Sequence, residues 1–309
     1  MATQIGPTSR YNVFHVAAGS RSRRRLATIP TAGWSPGWIH SFALSERHLV
    51  LVEHPSAFHV PALMGLGALS PAPHVAVDWA GAARPTLVHV VSRADGALVA
   101  SLPAPPLFFF HAANAFDADG SGAVCVDLAA YADPAIVDGL ALPALRSGAR
   151  PLAESRLTRL TVPLRGGGAA VQARALDDPA VTGMYCDFPA VHPARAGREC
   201  RYVWAAGAER PTANTNAIAK TDLSGGGRSA RWVERGGVVG EPVLVPRPGA
   251  AAEDDGVVLA AVAEAGGGCA LVVLDAATLA PLCRARLPGP LPFGFHGTFV
   301  PAAPAGAAR

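Results

Sequence analysis

Charge is scarce in this chain. Only 16% of its 309 residues are Asp, Glu, Lys or Arg, and the net charge is +3. That is too little basic surface to track nucleic-acid phosphates or to form a polybasic membrane tail. Cysteine is scarce too: Cys125, Cys186, Cys200, Cys269 and Cys283 are odd in number and contain no CxxC. They read as small apolar residues in a reducing compartment, not as a disulfide frame or a zinc site. The opening MATQIGPTSRYNVF has no apolar stretch and no run of basic residues, so no targeting segment is expected. Long apolar runs are missing as well. GVVLAAVAEAGGGCALVVLDAATLA is cut by Glu264, a glycine triplet and Asp275, which makes it separate strands and not a membrane-spanning helix. Helical periodicity is rare. The best candidate, DPAIVDGLALPALRSG from Asp133, predicts a turn or two of helix over an insertion.

What is present is β-structure. Half the residues are hydrophobic, enough for a core, and 33 Gly with 28 Pro supply many turns. Short runs such as LVLVE from Leu49, TLVHVV from Thr86, AVCVDL from Ala123, RYVWAAG from Arg201 and ALVVLD from Ala270 predict strands. ADG, DADGSG, SGGG and GGG separate them as turns.

Three histidines share a setting. His40 in SPGWIHSF, His111 in LFFFHAANAF and His296 in LPFGFHGTF each end a proline-containing apolar stretch, and a phenylalanine follows shortly. The setting is part of a repeat. TLVHVVSRADGALVASLPAPPLFFFHAANAF and ALVVLDAATLAPLCRARLPGPLPFGFHGTF both read strand, polar turn, strand, proline-rich linker, His. NVFHVAAGSRSRRRLATIPTAGWSPGWIHSF fits with a longer turn, and AIAKTDLSGGGRSARWVERGGVVGEP fits with Glu241 in the histidine place. Repeated hairpins of this spacing predict propeller blades, in which equivalent positions are radially equivalent. If each linker leads to an innermost strand, the three histidines meet near the axis.

A lone histidine in an apolar run is usually a core residue with backbone partners. Three at one repeat position are harder to satisfy, because each unpaired buried nitrogen costs about 1–3 kcal/mol. A transition metal would take one nitrogen from each ring, and an all-imidazole site suits iron, zinc, copper or nickel. Metal-bound imidazoles usually donate their second N–H to a carboxylate. Glu241 and Asp187, the latter in the apolar context YCDFPAVHP, are placed for that. His15, His48, His54, His59, His74, His89 and His192 lack the repeat context and read as surface or strand residues. The acidic clusters DAD from Asp117 and EDD from Glu253 read as solvated turns.

These segments, with WIHSFALSERHLVLVEHP, DFPAVHPARAGRECRYVWAAG, GEPVLVPRPGAAAEDDGVVLAAV and PFGFHGTFVP, resemble the carotenoid cleavage oxygenases in family order over nearly the whole chain. The resemblance implies an all-β, seven-bladed propeller with a helical cap, with residues 1–309 as one incomplete domain, roughly the C-terminal two-thirds of the fold. It implies Fe(II) on the axis held by four histidines, of which His40, His111 and His296 match three. Glu241 matches a glutamate behind the ligands, and Asp187 matches another position that is normally glutamate. Being one methylene shorter, Asp187 is expected to make a longer or water-bridged bond. The fourth histidine and its carboxylate are expected ahead of YNVFHV, and the chain without them is expected to be a poor catalyst.

The implied reaction is cleavage of a carbon–carbon double bond by O2 in a carotenoid, apocarotenoid or stilbene-like alkene, with Phe110, Phe188, Phe293 and Phe295 as candidate tunnel walls. An isomerase or isomerooxygenase on the same iron, and a non-catalytic propeller piece, are the alternatives. FHVPALMGLGALS, residues 58–70, is apolar and nearly uncharged, and predicts a peripheral membrane contact through Leu63, Met64 and Leu66. A cytoplasmic or plastid location follows from these readings.

Overall fold

The computed structural model describes residues 1–5, 8–31, 36–58, 77–118, 120–148, 151–165 and 170–302. The segment 59–70, most of the expected membrane contact, lies outside them, as do His59 and His74. Five antiparallel sheets follow one another along the chain. The first holds β1 (Ala2–Gln4), β2 (Arg10–Val16) and β3 (Arg23–Pro30). The second begins with β4 (Ala43–Leu44) and β5 (His48–Glu53). A side hairpin of β6 (Ser56–Phe58) and β7 (Val77–Trp79) interrupts it, and β8 (Thr86–Ser92) and β9 (Leu98–Ala104) complete it. The third runs β10 (Phe108–Ala118), β11 (Ala123–Tyr131), β12 (Ser155–Pro163), β13 (Gln172–Ala175). Two short helices, α1 (Ala135–Gly139) and α2 (Leu142–Ser147), fill the insertion where helix was expected.

A single turn, α3 (Pro179–Thr182), leads into the fourth sheet of β14 (Cys186–Ala190), β15 (Tyr202–Gly207), β16 (Ala217–Asp222) and β17 (Ala230–Val233). In the fifth, β18 (Gly237–Val239) and β19 (Val243–Pro246) both pair with β20 (Gly256–Glu264), and β21 (Cys269–Asp275) and β22 (Pro281–Arg286) lie outside. These are propeller blades, and the repeat is their plan. The outer hairpins β2–β3, β8–β9 and β16–β17 are each followed by a linker that leads to the first strand of the next sheet, and β21–β22 is followed by the irregular segment that carries His296. Among the described residues the sheets do not close a ring.

The period-2 alternation of the strands is what stacks the blades. In β5, Leu49 and Leu51 face Tyr11, Val13 and Ile29 of the first sheet. The intervening Val50 and Val52 face Val124, Val126 and Leu128 of the third. Both sides of the strand are thus buried, each large side chain contributing about 1.5–3 kcal/mol. In β20 the inward Val258, Ala260 and Val262 pack on Trp204 and Ile218 of the fourth sheet, whereas Ala261 on its other side is exposed, as is all of β22.

The acidic clusters read as solvated turns are in part built into these contacts. Asp117 accepts from His48 Nδ1 at 2.5 Å and from the Arg47 amide at 3.1 Å. Glu253 accepts the amides of Arg201 and Tyr202 at 3.0 and 2.8 Å. Asp254 takes the fully buried ammonium of Lys220, the chain's single lysine, at 2.6 Å.

Candidate metal centre

The histidines occupy places where regular pairing fails. His40 lies in the irregular stretch before β4. His111 lies in β10 within a pair of register shifts, between Phe109 and Ala112 and between Ala112 and Asn114. A bulge of this kind re-aims a side chain. Asp187 in β14 adjoins another shift, and the next residue, Phe188, is left-handed at φ 49°. His296 follows β22 and is preceded by left-handed Phe295 at φ 44°. Non-glycine residues in this region store strain that the surrounding structure must hold.

The result is convergence. One nitrogen each from His40, His111 and His296 lies within 4.8 Å of the others. His111 Nδ1 is 2.7 Å from Asp187 Oδ1, so the bond expected to lengthen is direct. Asp187 is buried and also accepts from the Tyr131 hydroxyl at 2.6 Å and the Phe188 amide at 2.8 Å. Tyr131 was not singled out from sequence. Burial, then Tyr185 and Asp187, push its phenol well above the ordinary range, so it remains a donor. On the other side, His296 Nδ1 is 3.0 Å from Glu241 Oε1, and Glu241 Oε2 accepts the Gly297 amide at 2.8 Å.

These carboxylates fix the tautomers. With Nδ1–H donated outward, each ring presents a bare Nε2 lone pair inward. The two Nε2 atoms of His111 and His296 face each other at 3.2 Å. Two lone pairs at that distance repel unless a cation or a shared proton lies between them. The His40 ring stands edge-on to His111, centroids 5.1 Å apart. Burial, with His111 and His296 adding to it, lowers the His40 pKa below the usual imidazole range, against the opposing pull of Asp187, which keeps the ring neutral and able to bind a cation.

Of the four phenylalanines, Phe110 and Phe188 touch this cluster, and Phe293 and Phe295 reach it through Phe188. Phe110 is buried, 5.2 Å from the His40 ring and 6.1 Å from His111. Phe188 is 4.9 Å from His111 and 5.6 Å from His296. Phe293 meets Phe188 edge-on at 6.0 Å and Phe295 meets it tilted at 6.4 Å, but both are exposed. Glu241 and His296 also edge an apolar hollow of about 260 Å³ walled by Val243, Leu259, Leu271 and Phe299. His15 takes no part in the cluster. His89 belongs to a strand but is buried, and His54, just after β5, is buried as well.

Stacked propeller blades with three imidazoles gathered together, two of them backed by carboxylates, define a propeller protein with a histidine centre. The chain belongs to the carotenoid cleavage oxygenases, the family described as retinal pigment epithelial membrane protein, whose sequence model matches residues 1–301. It is 39% identical over 295 residues to a chloroplastic carotenoid cleavage dioxygenase 8 homolog of Oryza sativa, covering 94% of this chain and 52% of that protein. It is 29% identical to the apocarotenoid-15,15'-oxygenase of Synechocystis, covering 91% of this chain and 55% of that protein. A solved cobalt-substituted Synechocystis ACO superposes with a TM-score of 0.75 at 26% identity, over 94% of this chain and 58% of that one. The chain thus spans about half the length of the curated relatives it matches. Among the described residues no helix is long and apolar enough to cross a membrane.

Proposed function

We propose that the protein is a non-haem Fe(II) oxygenase that cleaves a carbon–carbon double bond of a carotenoid or apocarotenoid with O2. The observation that carries the reading is the pair of inward Nε2 atoms at 3.2 Å, their outer nitrogens committed to Asp187 and Glu241. Neutral imidazoles are donors for a transition metal, not for calcium or magnesium. A related Synechocystis protein accepts cobalt, and relatives are named dioxygenases of carotenoids. His40, His111 and His296 would hold the metal, which would supply the redox chemistry between O2 and the alkene.

The chain's own residues do the positioning. Asp187 and Glu241 keep Nδ1 protonated and the rings oriented. Tyr131 anchors Asp187. Phe110 and Phe188 present apolar faces beside the imidazoles, where an alkene can lie and water is disfavoured. No acid–base pair is needed for this role. The test is to load the protein with Fe(II), supply O2 and a carotenoid or apocarotenal, and follow aldehyde products by mass. Two carbonyl fragments carrying the atoms of O2 are expected, formed slowly by this chain, and they should vanish in His111→Ala. Absence of iron binding by the wild type would refute the reading. A second reading, isomerooxygenase, draws on 31% identity to a carotenoid isomerooxygenase of Galleria mellonella; an isomerised double bond in one of the products would select it. Peripheral membrane contact through Leu63, Met64 and Leu66 belongs to the same proposal, and unaltered liposome binding after their change to Ser would remove it.

A further inference from the structure

His40 differs from the other two histidines. Among the described residues no hydrogen bond reaches its ring, whereas His111 and His296 each have a carboxylate. Trp38 and Phe110 flank its ring edge-on, and its backbone is tied down on both sides. One residue downstream, Ser41 Oγ donates to the Phe110 carbonyl at 2.6 Å, tying the segment to the residue before His111. Three residues upstream, the Gly37 amide donates to the Tyr11 hydroxyl at 2.8 Å, and both residues are buried. Gly37 also bridges Ala57, and the Pro36 carbonyl accepts from Phe58 at 3.0 Å.

Behind Tyr11 stands a buried polar network. Glu53, at the end of β5, is ion-paired with Arg84 and lies 3.3 Å from His89 Nε2. His89 Nδ1 meets Ser101 Oγ at 3.0 Å. Burial and then the Glu53 charge push the Tyr11 phenol far above its usual range, so it stays protonated. There is no slack at the contact. A Cβ on Gly37 would come within 2.9 Å of Glu53 Cγ and 3.2 Å of both the Ser56 carbonyl and the Tyr11 hydroxyl. Ionic groups buried like this give little net stability compared with apolar packing, because desolvation offsets their attraction. Placement is what such a network offers.

We propose that Tyr11 is a positioning residue for the metal centre, setting His40 through the Gly37 amide, with Glu53 and Arg84 fixing Tyr11 from behind. This rests on the metal reading above, and the test separates the two. The probe is Co(II), added to the full chain and to Tyr11→Phe, Gly37→Ala and His40→Ala. Affinity is read by chelator competition, and coordination by the visible Co(II) absorption. Tyr11→Phe keeps the ring volume and removes only the hydroxyl. It should weaken Co(II) about 10-fold, the scale of outer-shell losses, and change the absorption. Gly37→Ala should do the same or more. Ile29→Val, opposite Tyr11 in the β2–β3 pair and in the same packed face, removes one methyl and leaves the Tyr11 hydroxyl in place, and is the stability control. It should lower the urea midpoint while leaving Co(II) binding intact. If Ile29→Val weakens Co(II) as much as Tyr11→Phe does, the effect is merely structural and the proposal fails. If Tyr11→Phe and Gly37→Ala bind like wild type while His40→Ala does not, positioning is refuted and the metal centre stands. If wild type binds no Co(II), or His40→Ala has no effect, the metal reading falls and takes this inference with it.

Discussion

Replacing Asp187 with Ala should damage both stability and metal binding, and replacing it with Asn should separate the two. The carboxylate is 1% exposed and accepts from three donors: His111 Nδ1, the Tyr131 hydroxyl and the Phe188 amide. Alanine removes every acceptor. The Tyr131 hydroxyl is buried, and so is the Phe188 amide on its strained left-handed residue. At about 1–3 kcal/mol for each stranded donor, two of them cost about 2–6 kcal/mol. Losing the carboxylate's own desolvation penalty offsets part of this, so a net loss of about 3 kcal/mol is expected. Released, the His111 ring can rotate or switch tautomer, and metal affinity should fall about 100-fold, the upper end for such partners.

Asparagine can keep its oxygen at the Oδ1 position, facing both His111 and Phe188. Its amide then meets Tyr131, whose hydroxyl can turn to accept. Geometry survives and the charge is lost, so stability should change by less than about 1 kcal/mol while affinity falls about 10-fold. Urea unfolding and Co(II) competition measure the two quantities independently. An Asp187→Ala protein that binds Co(II) like wild type would show that the carboxylate does not orient His111.

Glu241→Ala should behave differently, because His296 is 55% exposed and Glu241 18%. Co(II) affinity should fall about 10-fold with little change in unfolding midpoint, since exposed pairs contribute only about 0–1 kcal/mol; a large midpoint shift would contradict this. His54 is 1% exposed, and burial above all, with Arg84 and His40 adding to it against Glu53, lowers its pKa to about 4. The unfolded chain therefore binds the extra proton between the ordinary imidazole range and pH 4. Stability is full above that range and should decline by about 3 kcal/mol as pH falls to about 4. His54→Gln should flatten that slope in urea melts from pH 7 to pH 4, and an unchanged slope would refute it. Lys220→Met should cost about 3–5 kcal/mol by leaving Asp254 unpaired, and Lys220→Met with Asp254→Leu should recover much of it; failure of the double variant to recover would place the effect elsewhere.

The blade plan was legible because it is periodic. Strand, turn, strand, linker recurs with spacing that survives sequence change, and the linker's destination follows from sheet order. The repeat marks His40, His111, His296 and Glu241 as equivalent positions, and the structure has His111 in β10 and His40, Glu241 and His296 in the linkers beside strands. Contacts between blades have no period, and there the reading fell short. Asp117 sits in an acidic turn signal, yet the neighbouring blade brings His48 and Arg47 to it. Tyr11, Glu53 and Arg84 come from separate elements, and nothing in YNVFHV, LVLVEHP or GAARPT says that they meet. Asp187 reaches His111 despite its shorter side chain because β14 departs from regular register just there.

The two carboxylate–imidazole pairs also show how this fold couples chemistry to packing. His111 is on the third sheet and its partner Asp187 on the fourth, so their 2.7 Å bond crosses a blade interface. Tyr131, which anchors Asp187, belongs again to the third sheet, so the interface is stitched twice within one side chain's reach. The apolar contacts behind it, Leu157 against Cys186, Val203 and Ala205, set the distance between the sheets. A cavity made there would act on the imidazole as well as on stability, because a bond across an interface follows the interface. The His296–Glu241 pair is different. Glu241 stands between β18 and β19, and His296 lies on the segment that leaves β22 of the same sheet. Its hydrogen bond lies within one blade and the segment 287–296, while Phe188 of the fourth sheet packs against His296 from outside that blade. The cluster is therefore held by two unlike bonds, one across the packing between blades and one within a single blade and its outgoing segment, and the first should respond more strongly to substitutions in the core.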